Sequence, residues 1–172
     1  MSDTNSPDGR TDSIRRPVDH ALWGRIRRGI EGGALATLVL TAYRLPVTRS
    51  LPPTAEFWSK FVSEDAAYDH PVVALVLHVL YGVAAGVGFA VLVSSREPVR
   101  SGSGIGPPSP SGEASVTVFG LVYGLALSAF GEKIVLGAML DTDPDDRFAF
   151  HIGHVLYGIT LGSWIGTRTT DQ

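Results

Sequence analysis

Pro71-Val72-Val73-Ala74-Leu75-Val76-Leu77-His78-Val79-Leu80-Tyr81-Gly82-Val83-Ala84-Ala85-Gly86-Val87-Gly88-Phe89-Ala90-Val91-Leu92-Val93 is the stretch that decides the fold. Its only ionisable side chains are His78 and Tyr81. A helix on the surface of a soluble protein keeps a polar face, and this stretch has none. At 1.5 Å per residue it reaches roughly 34 Å, enough to cross the ~30 Å hydrocarbon core of a bilayer. It predicts a transmembrane helix over 71–93.

The rest of the chain follows the same alternation. The hydrophobic fraction is 44%, ordinary for a soluble protein, so the distribution carries the information rather than the mean. Charges crowd into the first 31 residues and into 44–70, 96–113 and 141–147, with long stretches between that carry almost none. Further spans are expected over 29–47, 114–140 and 148–167. Span 1 is short and has Glu31 and Arg44 at its ends, where they must snorkel or pair. A cleaved signal peptide is the rival reading of span 1, but small residues suited to cleavage do not follow it. Buried helices of a soluble bundle are the rival reading of the whole, and the missing polar face of span 2 speaks against them.

Residues 1–20 are polar and aperiodic, and are expected to be a disordered cytoplasmic tail ahead of a four-span domain over 21–172. Segment 45–70 holds Pro46, Pro52 and Pro53, then Phe57, Trp58 and Phe61. It is expected to be a loop followed by a short interfacial helix. Segment 94–113, rich in Ser, Gly and Pro, is expected to be a flexible linker. Arg10, Arg15, Arg16, Arg25, Arg27 and Arg28 precede span 1, Arg96 and Arg100 follow span 2, and Arg168 follows span 4. The opposite loops collect Glu56, Glu64, Asp65, Asp69, Asp141, Asp143, Asp145 and Asp146. The positive-inside rule then puts both termini in the cytoplasm of a multi-pass protein of the cell membrane.

Several function classes are excluded or disfavoured. The net charge of −3 points away from nucleic acid. The absence of cysteine removes thiolate metal sites, iron–sulfur clusters and cysteine nucleophiles. No serine elbow, phosphate loop or His-Glu-x-x-His motif is present, so no catalytic residue is assigned. The aspartates of 141–146 lack the glycine and closing glutamate of a calcium loop.

His78-Val79-Leu80-Tyr81-Gly82 returns letter for letter as His154-Val155-Leu156-Tyr157-Gly158, each copy near the start of an even-numbered span. Leu40-Thr41-Ala42-Tyr43 loosely matches Leu127-Ser128-Ala129-Phe130. The expected architecture is therefore an all-α, four-helix transmembrane bundle made of two similar helix pairs, a parallel repeat. The tandem His-x-Leu-Tyr-Gly pattern, with Pro52-Pro53-Thr54-Ala55-Glu56-Phe57-Trp58, resembles small four-span membrane proteins of unknown function in haloarchaea, over about residues 28–167. The resemblance implies an archaeal source and the same topology, and transfers no activity or functional residue.

At four-residue spacing, span 2 aligns His78, Gly82 and Gly86 on one face; span 4 aligns His154, Gly158, Gly162 and Gly166; span 3 aligns Gly120, Gly124, Ser128 and Glu132. Small residues so spaced let membrane helices approach closely, so these faces should be the packing faces. Counting inward from the outer span ends places His78, Glu132 and His154 roughly 10 Å below the outer boundary. Arg44 is slightly shallower, and Tyr81, Tyr157 and Lys133 lie nearby. Such a layer either locks helices in register or conducts protons or ions. The alternative is a haem- or metal-binding electron carrier, with His78 and His154 on one haem iron or His151 and His154 sharing a metal. The lipid bilayer is the one partner implied, and a homo-oligomer is compatible with these faces.

Overall fold

The computed structural model describes residues 9–49, 51–63, 65–66, 69–94 and 110–169, with the side chains of 9–21, 110, 111 and 169 outside the description. All secondary structure among these residues is helical. The elements are α1 (Gly9–Thr48), α2 (Thr54–Phe61), α3 (Pro71–Ser94), α4 (Pro110–Phe130) and α5 (Arg147–Thr169). A π-helical segment (Gly131–Leu140) continues directly from α4. The disordered tail expected over 1–20 gives way at Gly9 to helix, and residues 1–8 lie outside the described residues, as does 95–109 of the expected linker. Once a helix is nucleated by packing, extending it through flanking residues costs little per residue, which is how α1 grows past its packed part.

Two helical stretches are long and apolar enough to cross a membrane: Pro71–Ser94, with a mean hydropathy of 2.2, and Gly112–Leu140, with 1.7. The expected spans 29–47 and 148–167 fall on α1 and α5, which do not reach that threshold. Packing order gives the reason. α1 packs between α3 and α5, and α5 packs between α1 and α4, whereas α3 and α4 barely meet. The two apolar helices are thus the outer members of the set. Within their most apolar windows only 28% and 17% of residues are buried. Val72, Leu80, Val118 and Val122 are all more than half exposed. The central helices are covered by protein on two sides and can carry glycine, threonine and histidine instead.

Glycines set the distance between helices. A Cβ added to Gly29 would lie 2.6 Å from the Val87 Cα, and one on Gly33 would fall against the Gly82 carbonyl. On α3, a Cβ on Gly86 would meet the Gly29 carbonyl and the Gly33 Cα. The α4–α5 contact repeats the device: Gly120 faces the Gly158 carbonyl and Gly162, and Gly124 faces the His154 carbonyl. In each pair backbone lies directly on backbone, where any side chain would have to displace main chain. The central α1–α5 contact is looser. There Gly32 receives the side chains of Trp164 and Leu161, and Gly153 receives Leu40.

Away from α2, the core is apolar: Ala36, Leu40, Phe89, Ala90, Tyr157, Leu161 and Ile165 are buried together. Across it, Phe89 stacks on Phe119 at 5.4 Å and meets Tyr123 at 5.1 Å, so aromatic rings hold α3 and α4 apart. Tyr123 donates its hydroxyl hydrogen to the Ala85 carbonyl (2.9 Å) and Tyr157 to the Gly82 carbonyl (2.6 Å). At the other end, the π-helical segment stops at Asp141, whose backbone is left-handed (φ 55°), a conformation aspartate tolerates better than most residues. Asp146 then accepts the Ala149 N–H (2.9 Å) and caps the start of α5.

These contacts separate glycines that must stay glycine from those that need not. Gly33→Ala and Gly158→Ala should each destabilise the protein by about 1–3 kcal/mol through backbone displacement. An alanine methyl at Gly24 would have nothing within 4 Å of it, and Gly24→Ala should stabilise the helix by about 0.5–1 kcal/mol. Thermal unfolding in detergent micelles checks both, and equal melting temperatures across the three variants would contradict the packing.

Candidate functional site

The polar residues expected to form one layer divide into two groups. Arg44 from α1, His78 and Tyr81 from α3, and His154 from α5 line a cavity of about 270 Å³. Its remaining walls are mostly apolar: Leu77 from α3, Phe150 from α5, Val135, Leu136 and Met139 from the π-helical segment, and Phe57 from α2, with Thr54 of α2 the polar exception. The cavity lies between α3 and the π-helical segment, with α1, α2 and α5 completing its wall. α2 bridges the end of the seam between α3 and this segment. Thr54 donates its hydroxyl hydrogen to the Ala74 carbonyl (2.6 Å), and Lys60 donates from Nζ to the Met139 carbonyl (2.9 Å). The short helix read from Phe57, Trp58 and Phe61 is therefore a strap from α3 to the π-helical segment.

His78 and His154 are both buried, and the charges of Arg44, His78 and His154 act on one another. His154 donates its Nδ1–H to the Phe150 carbonyl one turn earlier (2.9 Å), and its ring lies 4.5 Å from that of Phe150. That bond fixes Nδ1 as a protonated ring nitrogen. A second cavity of about 260 Å³ lies on the other side of Arg44 and His78, walled by α1, Leu51, Pro52 and the start of α3. Thr41 lines it, and its buried hydroxyl has no hydrogen-bond partner.

Glu132 belongs to the other group. Its carboxylate lies 3.3 Å from His151 Nε2 and 3.4 Å from Arg147 Nε. His151 Nδ1 is 2.7 Å from the Ser128 hydroxyl, which is also 3.1 Å from the Leu125 carbonyl. Arg147, just outside the expected span, is held above its ordinary guanidinium range by its bond to Asp143 (2.8 Å) and by the charges of Asp143 and Glu132.

Glu132 therefore does not join His78 and His154 in the expected layer. Gly124, two turns before Glu132, already faces His154, so the antiparallel register puts Glu132 level with Arg147 and His151. Lys133 is exposed and joins neither group, and Tyr157 lies deeper, bonded to Gly82. Of the expected packing glycines, Gly82, Gly86, Gly120, Gly124, Gly158 and Gly162 meet the neighbouring helix at close range, and a Cβ added to Gly166 would lie 3.3 Å from the Glu113 Cα.

The weak metal candidates His151 and His154 point their nitrogens at different partners. Among the described residues no group of three or more His, Asp or Glu is arranged to hold a metal ion. Sequence reasoning missed His151, Ser128 and Arg147 as the partners of Glu132. The signal was there in part, since Ser128 shares the four-residue row of Glu132. It also missed the opposite end, where Glu31 pairs with Arg27 (2.8 Å) and lies 4.0 Å from Arg168, which stacks 3.4 Å over the Trp164 ring.

Removing members of the Glu132 group should grade with burial. Arg147→Ala loses a solvent-screened partner and should leave the melting temperature nearly unchanged. Glu132→Ala removes the less exposed carboxylate that lies against both His151 and Arg147 and should cost about 1–3 kcal/mol. Unfolding in detergent measures both, and a larger loss for Arg147→Ala would contradict this assignment.

No protein-family model, curated protein or solved structure matches the chain, so what the site does is read from its own geometry.

Proposed function

We propose that the chain is a four-span protein of the cell membrane, built from two similar helix pairs with both termini cytoplasmic. Its function is to bind a small amphipathic molecule in the cavity beneath α2. The observation that carries the reading is the cavity itself: a mostly apolar space on which Arg44, His78, Tyr81 and His154 converge, the combination typical of small-molecule sites.

The bilayer is supported by what the outer helices leave uncovered. A core helix of a soluble protein is mostly buried, whereas the apolar windows of α3 and α4 are mostly not. An apolar surface of that extent needs an apolar solvent. Leu38 and Leu45, each 58% exposed, extend the same surface onto α1. The orientation rests on the arginines flanking α1 and α5.

The repeat is supported by the glycine contacts. Gly86 meets Gly29 and Gly33 where Gly162 meets Val116 and Gly120. The α3-to-α5 shift is 76 residues and the α1-to-α4 shift is 87. The second of these also carries Leu40-Thr41-Ala42-Tyr43 onto Leu127-Ser128-Ala129-Phe130. The same shifts explain the unpartnered Thr41 hydroxyl. Its counterpart Ser128 bonds His151, but the residue equivalent to His151 is Leu75. Likewise Arg44 stands where the second half has Gly131, against which the Phe150 ring packs. The halves have diverged around the cavity: the first contributes the cation and the second the aromatic wall.

Conduction of protons or ions is less well supported than binding. Between the cavity and the far end lies the cluster of Ala36, Phe89, Ala90, Leu161 and Ile165, whose ionisable side chains among the described residues are Tyr157 and the adjoining Tyr123. The Glu132 group fits a locking role between α4 and α5, with its polar atoms paired locally.

Filling the cavity tests the reading. Val135→Trp places a large ring in the cavity wall away from the glycine contacts. Native mass spectrometry of the protein released gently from its membranes should show a retained small molecule in the unmodified chain and not in the variant, with similar melting temperatures. Equal retention by both, or by neither, would contradict a binding function.

A further inference from the structure

We propose that the end of the bundle opposite α2 binds the phosphate head group of an anionic phospholipid, held by Arg25 and Arg28 of α1 beside Arg168 of α5. The site lies away from the cavity, and it rests only on the proposal that α1 and α5 cross the bilayer.

Register is the first argument. Gly32 receives Trp164 and Gly153 receives Leu40, so α1 and α5 run antiparallel. One turn beyond the Gly32–Trp164 contact, Arg28 on α1 stands level with Arg168 on α5, and Arg25 follows Arg28 on the same side of α1. Like charges are thus gathered where two helices end. Glu31 is shared among them, 2.8 Å from Arg27 and 4.0 Å from Arg168. With Glu113 at the start of α4 counted as well, four arginines meet two carboxylates among the described residues of this end. No ion pair among the described residues involves Arg25 or Arg28. The surplus charge is therefore theirs.

Unmet donors are the second. The Trp164 indole N–H and Arg168 Nη1 are buried without a hydrogen-bond partner, and at 4.0 Å Glu31 is beyond hydrogen-bond reach. Arginines brought this close need an anion among them, and their planar forks match the oxygens of a phosphate. At the end of a span the phosphates within reach are those of lipid head groups, which juxtamembrane basic residues attract. Trp23, 68% exposed and one turn before Arg27, is of the residue type that settles at this level. Ile30 and Leu38, 41% and 58% exposed, continue along α1 as apolar surface for acyl chains. A free phosphate has no use for that surface.

The test titrates the full-length protein in a nonionic detergent with dioleoyl phosphatidylglycerol, dioleoyl phosphatidylcholine and glycerol 3-phosphate, read by native mass spectrometry. The anionic lipid should bind about tenfold more tightly than the zwitterionic one, and the double variant Arg25→Gln plus Arg28→Gln should erase that preference. Lys60→Gln, at the other end of the molecule, should keep it. Val135→Trp should keep it too, so this site and the cavity stand or fall separately. Equal binding of the two lipids, or a preference unchanged in the double variant, would overturn the proposal. Glycerol 3-phosphate binding as tightly as the anionic lipid would overturn it in favour of a soluble phosphate compound. Should the double variant fail to fold, Arg25→Gln alone decides: a weakened preference supports the site and an unchanged one overturns it. None of these outcomes bears on whether α1 crosses the bilayer, which oxygen accessibility at Leu38 reads separately.

Discussion

Backbone laid on backbone at glycine is the constraint on which the rest of this structure depends. At Gly29, Gly33 and Gly86, and again at Gly120, Gly124, Gly158 and Gly162, there is no room for a single methyl group. Such contacts fix not only how close two helices come but which residues stand level with each other. Once Gly124 faces His154, Ser128 must meet His151, and Glu132 must meet Arg147. Once Gly33 faces Gly82, Arg44 is carried beyond His78 to the end of the seam, where a cavity can form around it. The polar chemistry is thus placed by residues that have no side chain.

The same packing accounts for how hydropathy is distributed. Helices at the edge of the set must present apolar side chains outwards, and α3 and α4 do so. Helices in the middle meet protein on both sides, and α5 accordingly buries Gly153, His154, Tyr157, Gly158, Gly162 and Gly166. In the proposed bilayer, a span is recognisable by hydropathy only where it touches lipid. α1 and α5 fall short because they are central, and their polar residues are tolerated because partners lie within reach.

The fold was legible wherever local sequence alone decides it. The uninterrupted run 71–93 became α3 almost to the residue, and Phe57, Trp58 and Phe61 marked α2. The four-residue glycine rows lie where α1 meets α3 and α4 meets α5, since helical periodicity is a local property. What sequence could not supply was register between helices. Level had to be counted from expected span ends, whereas the antiparallel contact of α4 with α5 sets Glu132 beside Arg147 and not beside His154. Nor could it show that Thr54 and Lys60 strap α2 across the seam, since those bonds join residues 20 and 79 positions apart. The convergence of Arg44, His78, Tyr81 and His154 was expected; the cavity between them was not.

The central claim is that α1, which hydropathy alone does not single out, crosses the bilayer as the glycine-packed partner of α3. A nitroxide attached at Leu38, which is 58% exposed on the middle of that helix, tests it directly in reconstituted membranes. The account predicts fast collision with dissolved oxygen and slow collision with a water-soluble nickel chelate, the opposite of a label at exposed Lys60. A label at Leu38 as accessible to the chelate as one at Lys60 would contradict it.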